Sequence, residues 1–175
     1  MRRAAGRRAG GFTLLELLVV LVIIGVLVGF AVLSIGDGRR DRLDQEARRL
    51  AALMELAGQR AVVAGAPTGF RMEGTGYRFL VLSDGRWQPL EGGGPLRPRE
   101  LPEGVEPELR LEGAAVVLAE TEQEEEGSSA RPQVWFLPDG RFPAFEVVLA
   151  LGPWQVRVAG ELGEGVRAMP VRERE

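Results

Sequence analysis

The hydrophobic pattern of this chain changes twice along its length, and each change predicts a different kind of structure. Residues 12–35, FTLLELLVVLVIIGVLVGFAVLSI, are 24 positions interrupted by one charge, Glu16. As a helix this tract would extend about 36 Å, enough to cross a hydrocarbon core of roughly 30 Å with some tilt. Gly36-Asp37-Gly38 then punctuates the chain. Two glycines weaken a helix by about 1 kcal/mol each, so a kink or local melting is expected there. Beyond them Leu43, Ala47, Leu50, Met54, Ala57 and Ala61 recur at helical spacing, while Arg42, Arg48, Arg49, Glu55 and Arg60 fall mostly elsewhere. That pattern predicts a one-faced amphipathic helix over 36–65. It ends where Gly65 supplies a C-cap and Pro67 follows.

From residue 66 to 175 the chain breaks into short strand-like runs separated by turn residues. Tyr77–Leu82 leads through Ser83-Asp84-Gly85 into Arg86-Trp87, a hairpin pattern. Leu109–Leu111 and Val116–Leu118 are separated by Glu112-Gly113. Val134–Leu137 runs into the turn Pro138-Asp139-Gly140, and Phe145–Leu151 and Trp154–Val158 flank Gly152-Pro153. Gly160, Gly163 and Gly165 form a turn-rich link to Val166–Met169. Residues 120–132, ETEQEEEGSSARP, lack apolar period and predict a solvated loop. The predicted class is therefore α+β, with a helix packed on an antiparallel β-sheet head.

Composition narrows the chemistry. With no Cys, His or Lys, the chain has no disulfide framework, thiolate, imidazole base or Schiff-base amine. Carboxylates, Arg and four Ser remain, and no spacing brings two acids together for acid–base work. The five Glu of 120–132 supply oxygens, but nothing arranges them as a calcium ligand set, so no metal or cofactor is expected. Gly92-Gly93-Gly94 precedes Pro95 rather than a helix, which argues for a loop over a phosphate cradle. Overall there are 22 Arg against 25 acids, but Arg2, Arg3, Arg7 and Arg8 occupy a leader without acids. The remainder is acidic, and an acidic body offers no footprint for nucleic acid.

The front of the chain admits three readings. It could be an ordinary uncleaved anchor, with the Arg cluster held cytoplasmic. It could be a secretory signal, with small residues near Ser34 and Gly36, although the apolar tract far exceeds the roughly 7–15 residues of a signal core. The third reading rests on Glu16. A carboxylate in an apolar helix costs roughly 2.5–3.5 kcal/mol at its centre and less near an end. Glu16 would lie about 6 Å into a helix starting at Phe12, where the helix dipole and a free amine would favour its charge. Cleavage after Gly11 would create such an amine. Gly25 and Gly29, at GxxxG spacing, serve either close helix packing or simply reflect the frequency of Gly in membrane helices.

Gly11-Phe12-Thr13-Leu14-Leu15-Glu16, followed by Leu17, Leu18, Val19 and Val20, resembles the processing motif of type IV pilins and pseudopilins. The resemblance implies a leader over residues 1–11, cut by a prepilin peptidase between Gly11 and Phe12. It implies methylation of the new amino terminus at Phe12, a transmembrane helix over 12–35, and a role for Glu16 in guiding subunits into a fibre.

The head resembles the H-type minor pseudopilins of the GspH/FimT-like family. The residues that carry this are Arg86-Trp87-Gln88-Pro89-Leu90, the run Arg97 to Val105, and Phe136-Leu137-Pro138-Asp139-Gly140 with Pro143-Ala144-Phe145. The resemblance implies a pilin-like fold with two small antiparallel sheets in a periplasmic head over 66–175. It implies a structural rather than enzymatic role in a type II secretion pseudopilus. Expected partners are other minor and major pseudopilins, the prepilin peptidase, the inner-membrane assembly platform and the lipid bilayer. Two alternatives stand beside it. One is a FimT-type minor pilin, where DNA binding would want a basic C-terminal stripe. Here Arg167, Arg172 and Arg174 are interleaved with acids. The other is an anchored periplasmic enzyme built on a carboxylate pair.

Overall fold

The computed structural model describes residues 14–74, 76–90, 93–118 and 131–174, with the side chains of 28 and 30–37 outside that description. The chain divides into two compact units, Met1–Gly38 and Arg39–Glu175. One helix, α1 (Leu14–Ala64), contributes to both. It continues through Gly36-Asp37-Gly38, where the sequence suggests a kink or melted turn. Glycine weakens a helix but keeps its N–H, so the hydrogen-bond ladder can propagate across it from both sides. The helix stops as expected, with Gly65 in the left-handed conformation (φ 63°).

The second unit carries two antiparallel sheets among its described residues. The first orders β3 (Arg86–Pro89), β2 (Gly76–Ser83), β1 (Thr68–Met72) and β7 (Val134–Phe136), with β4 (Arg99–Glu100) also paired to β2. The second orders β10 (Gly165–Ala168), β9 (Trp154–Glu161), β8 (Phe145–Leu151), β5 (Glu106–Leu111) and β6 (Ala114–Val116), with β11 (Arg172–Glu173) beside β9. Two of the two-residue hairpins, β2–β3 and β5–β6, use paired left-handed residues, Asp84-Gly85 (φ 52° and 75°) and Glu112-Gly113 (φ 49° and 83°). That is the turn whose twist matches the strands it joins.

Three details depart from the expected strands. β6 is Ala114–Val116 rather than 116–118, because the two-residue turn at 112–113 starts it earlier, and Val117 is exposed beyond it. β9 continues through Gly160, which faces Phe145 across the ladder. A side chain at Gly160 would enter the Phe145 ring, so this glycine makes room for an aromatic rather than a turn. β1, at the middle of the first sheet, is not among the strands expected: Thr68, Phe70 and Met72 alternate inward against Gly69 and Arg71, but a five-residue run with two large apolar residues is a weak local signal. Its pairing to β7 is extended by a side chain: Met72 N–H donates to Gln133 Oε1 (2.6 Å) and Gln133 Nε2 donates to the Met72 carbonyl (3.0 Å). The amide thus replaces a strand bond where the neighbouring Pro132 has no N–H to give.

The core lies where the helix stripe meets both sheets. Leu43, Ala47, Leu50, Met54, Ala57 and Ala61 are all fully buried. They join one apolar cluster with Phe70, Met72, Tyr77 and Phe79 of the first sheet and Leu109, Val147, Leu149, Val156 and Val158 of the second. The alanines keep the helix surface low, and Gly58 leaves space for the Phe136 ring, whose Cδ1 would lie 3.4 Å from a Cβ there. The charged residues of the same helix, Arg42, Arg48, Arg49, Glu55 and Arg60, are exposed, as the periodicity requires.

Candidate assembly interface

The N-terminal part of α1 has no polar side. From Leu14 to Leu27 every large apolar residue is exposed, from 41 % at Val20 to 85 % at Leu14. Such a surface cannot remain in water, and a helix that is apolar all round is built for lipid or for other helices. Glu16 lies in the first turn of this helix and is exposed. There the N-terminal end of the helix dipole favours a carboxylate. Gly11 and Phe12 lie outside the described residues. Among the described residues no helix is long and apolar enough to cross a membrane. The expected span, 12–35, includes positions outside that description.

In the head, a carboxylate that the periodicity did not single out holds helix to sheet. Glu46 is buried, with Tyr77 Oη donating to its Oε1 (2.9 Å) and Arg49 Nη1 to its Oε2 (2.7 Å). Burial first, then the Glu46 charge and hydrogen bond, push the Tyr77 hydroxyl well above its ordinary pKa. The available signal was positional: residue 46 is three beyond Leu43 and four before Leu50, on the buried face, and Tyr77 is the chain's single tyrosine.

The outward faces of the two sheets differ in chemistry. On the first, Trp87 and Pro132 lie over Gly69, where any side chain would meet them, and Trp135 is partly exposed beside them. On the second, a groove of about 380 Å³ is lined by Glu108, Arg110, Glu146 and Arg157. Arg110 Nε contacts Glu108 at 2.7 Å, and Glu146 is reached by Arg110 at 3.9 Å and by Arg157 at 3.7 Å. Arg110 therefore reaches both acids, and Arg157 reaches one of them. At the C-terminal end Arg167 pairs with Glu164 and Arg174 with Glu106 (3.3 Å), so two of the three tail arginines already face a carboxylate. Among the described residues no group of three acidic side chains is placed to hold a metal ion.

Comparison with known proteins agrees with this anatomy. Residues 46–162 match the family described as type II transport protein GspH, and residues 6–32 match the prokaryotic N-terminal methylation motif. The chain is 38 % identical to type II secretion system protein H of Pseudomonas aeruginosa, covering 82 % of this chain and 84 % of that protein. It is 34 % identical to the protein of the same name from Aeromonas hydrophila, covering 90 % and 87 %. Among solved structures, the fold is shared with the minor pseudopilin EpsH of the Vibrio cholerae type II secretion system. There the TM-score is 0.62 and the identity 20 %, over 78 % of this chain and 99 % of that one. The solution structure of Escherichia coli GspH shares it too, with TM-score 0.52 and 22 % identity, over 75 % and 88 %. With a family match spanning most of its length and relatives aligned nearly end to end, the chain is a pilin-like α+β member of the GspH family of type II transport proteins.

Proposed function

We propose that this chain is a minor pseudopilin, a structural subunit of the type II secretion pseudopilus that helps export folded proteins across the outer membrane. The observation that carries the reading is the helix from Leu14 to Leu27, exposed and apolar on every side, with Glu16 in its first turn. Its role is mechanical: residues 12–35 anchor the subunit in the inner membrane, and the head from residue 66 selects neighbours. The N-terminus is cytoplasmic and the head periplasmic, because Arg2, Arg3, Arg7 and Arg8 precede the anchor. A prepilin peptidase cuts between Gly11 and Phe12, Phe12 is methylated, and the new amine of one subunit pairs with Glu16 of another. Other minor and major pseudopilins and the inner-membrane platform are the partners. Neither catalysis nor a cofactor enters this role.

The test is intact mass and N-terminal sequencing of membrane-extracted protein co-expressed with its prepilin peptidase. A methylated Phe12 start supports the reading; an intact Met1, or a start at Asp37, overturns it. In the same cells Glu16→Val should still be cleaved but lose co-purification with partner pseudopilins by at least tenfold. Undiminished co-purification would remove Glu16 from the assembly role.

A further inference from the structure

The foot of the head carries a cluster of three guanidinium groups around one exposed acid, Asp41, a net positive group. Arg39, Arg40 and Arg42 are all exposed on the first turn of helix that belongs to the head unit. Among the described residues none of the three forms an ion pair with a carboxylate, and the nearby Asp44 is taken by Arg48 at 2.7 Å. Only three residues lie between Ile35 and Arg39, four chain steps or at most about 14 Å of extended chain, which keeps the cluster close in sequence to the end of the apolar tract.

A second element meets the cluster. The β8–β9 turn brings Gly152 and Trp154 to the helix: Arg40 lies over the Trp154 ring, 5.7 Å from its centroid, and Arg39 Nη1 lies 3.5 Å from where a Gly152 side chain would begin. Trp154 is only partly buried. An indole beside Arg side chains at the end of an apolar helix is the composition of a membrane–water interface, where aromatic rings sit at headgroup level and Arg meets phosphate. The placement also runs against the topology rule, which keeps the outer flank of a span poor in Arg.

We infer that Arg39, Arg40 and Arg42, with Trp154, form a headgroup site for anionic phospholipid that seats the foot of the head on the outer leaflet. The site rests on the membrane-anchor reading given above. It holds the subunit at a set height before assembly, and extraction into a fibre then requires the lipid phosphates to be given up.

The experiment reconstitutes the full chain in nanodiscs of equal phosphatidylglycerol and phosphatidylcholine and counts the lipids retained by native mass spectrometry. Wild type should retain phosphatidylglycerol over phosphatidylcholine by several-fold. Arg39→Gln with Arg42→Gln, which keeps the Arg40–Trp154 stack, should lower that ratio at least threefold. The charge-matched control is Arg60→Gln with Arg97→Gln; these residues share a pocket roughly 30 Å further along the helix, and their loss should change nothing. An unchanged ratio in the first variant, or an equal fall in the control, overturns the site. Flotation with neutral phosphatidylcholine vesicles separates the two readings. Protein that floats but shows no lipid preference overturns the site alone, whereas protein that does not float overturns the anchor and the site with it.

Discussion

Residues 14–27 and residues 43–61 belong to one helix and treat their apolar side chains in opposite ways. In the first stretch every large apolar side chain is exposed. In the second, Leu43, Ala47, Leu50, Met54, Ala57 and Ala61 are wholly buried while Arg42, Arg48, Arg49, Glu55 and Arg60 face water and the one buried charge, Glu46, is met by Tyr77 and Arg49. Backbone conformation is the same in both, so the difference lies in the arrangement of side chains around the axis. A stripe can be satisfied by the chain's own sheets. An all-round apolar surface cannot be, and must be completed by lipid or by other subunits.

The largest expected effect sets the two stretches against each other. Leu50→Ala empties a fully buried position and should cost the head about 2–5 kcal/mol, read from the urea midpoint of the detergent-solubilised chain. Leu21→Ala, at 68 % exposure, should shift that midpoint by less than about 0.5 kcal/mol. Similar losses at the two positions would break the comparison. Next comes Ala57→Leu, which forces extra volume between helix and sheets and should destabilise the head by about 1–3 kcal/mol in the same assay.

The polar member of the packed stretch provides a smaller and sharper test. Tyr77→Phe removes the hydrogen bond to buried Glu46 and should cost about 1 kcal/mol at neutral pH. Because the folded-state pKa of Tyr77 is raised above its ordinary value of 10.0, its contribution is fully present below that pH and is lost as pH rises toward the folded value. Wild-type stability should therefore decline above about pH 10, with a shallower decline in the variant. Since Tyr77 is the single tyrosine, phenolate absorbance follows it alone: native protein should ionise at higher pH than protein in urea. Coincident titrations would show that the Glu46–Tyr77 contact is not formed. The smallest effect belongs to Arg48→Ala, which removes an exposed pair with Asp44 and should change the midpoint by no more than about 0.5 kcal/mol.

Much of the head was legible because its signals are local. The helical stripe, the stop at Gly65 and the Asp84-Gly85 and Glu112-Gly113 hairpins follow from spacing and turn chemistry within a few residues. β1 was not singled out, since a five-residue run with two large apolar side chains alternates too briefly to stand out, and its central place is fixed by pairing with β2 and β7. Gly160 resembled a turn residue until Phe145 was placed opposite it. The match of residues 6–32 to the N-terminal methylation motif was also legible, because that signal is linear; the cleavage, methylation and assembly roles proposed for Gly11, Phe12 and Glu16 rest on it.

By itself, then, the sequence determined the long apolar tract, the N-terminal methylation motif, the amphipathic stripe and most strand positions, all of which depend on neighbours within about one or two helical turns. Tertiary structure alone decided that two sheets share one core, that Glu46 turns inward to Tyr77, that Gln133 stands in for a strand bond, and that Trp154 meets Arg40 at the foot of the head. Each of those joins residues far apart in the chain. Such pairings are selected by how well surfaces pack and how completely buried polar groups are satisfied, and neither quantity exists until the chain has folded.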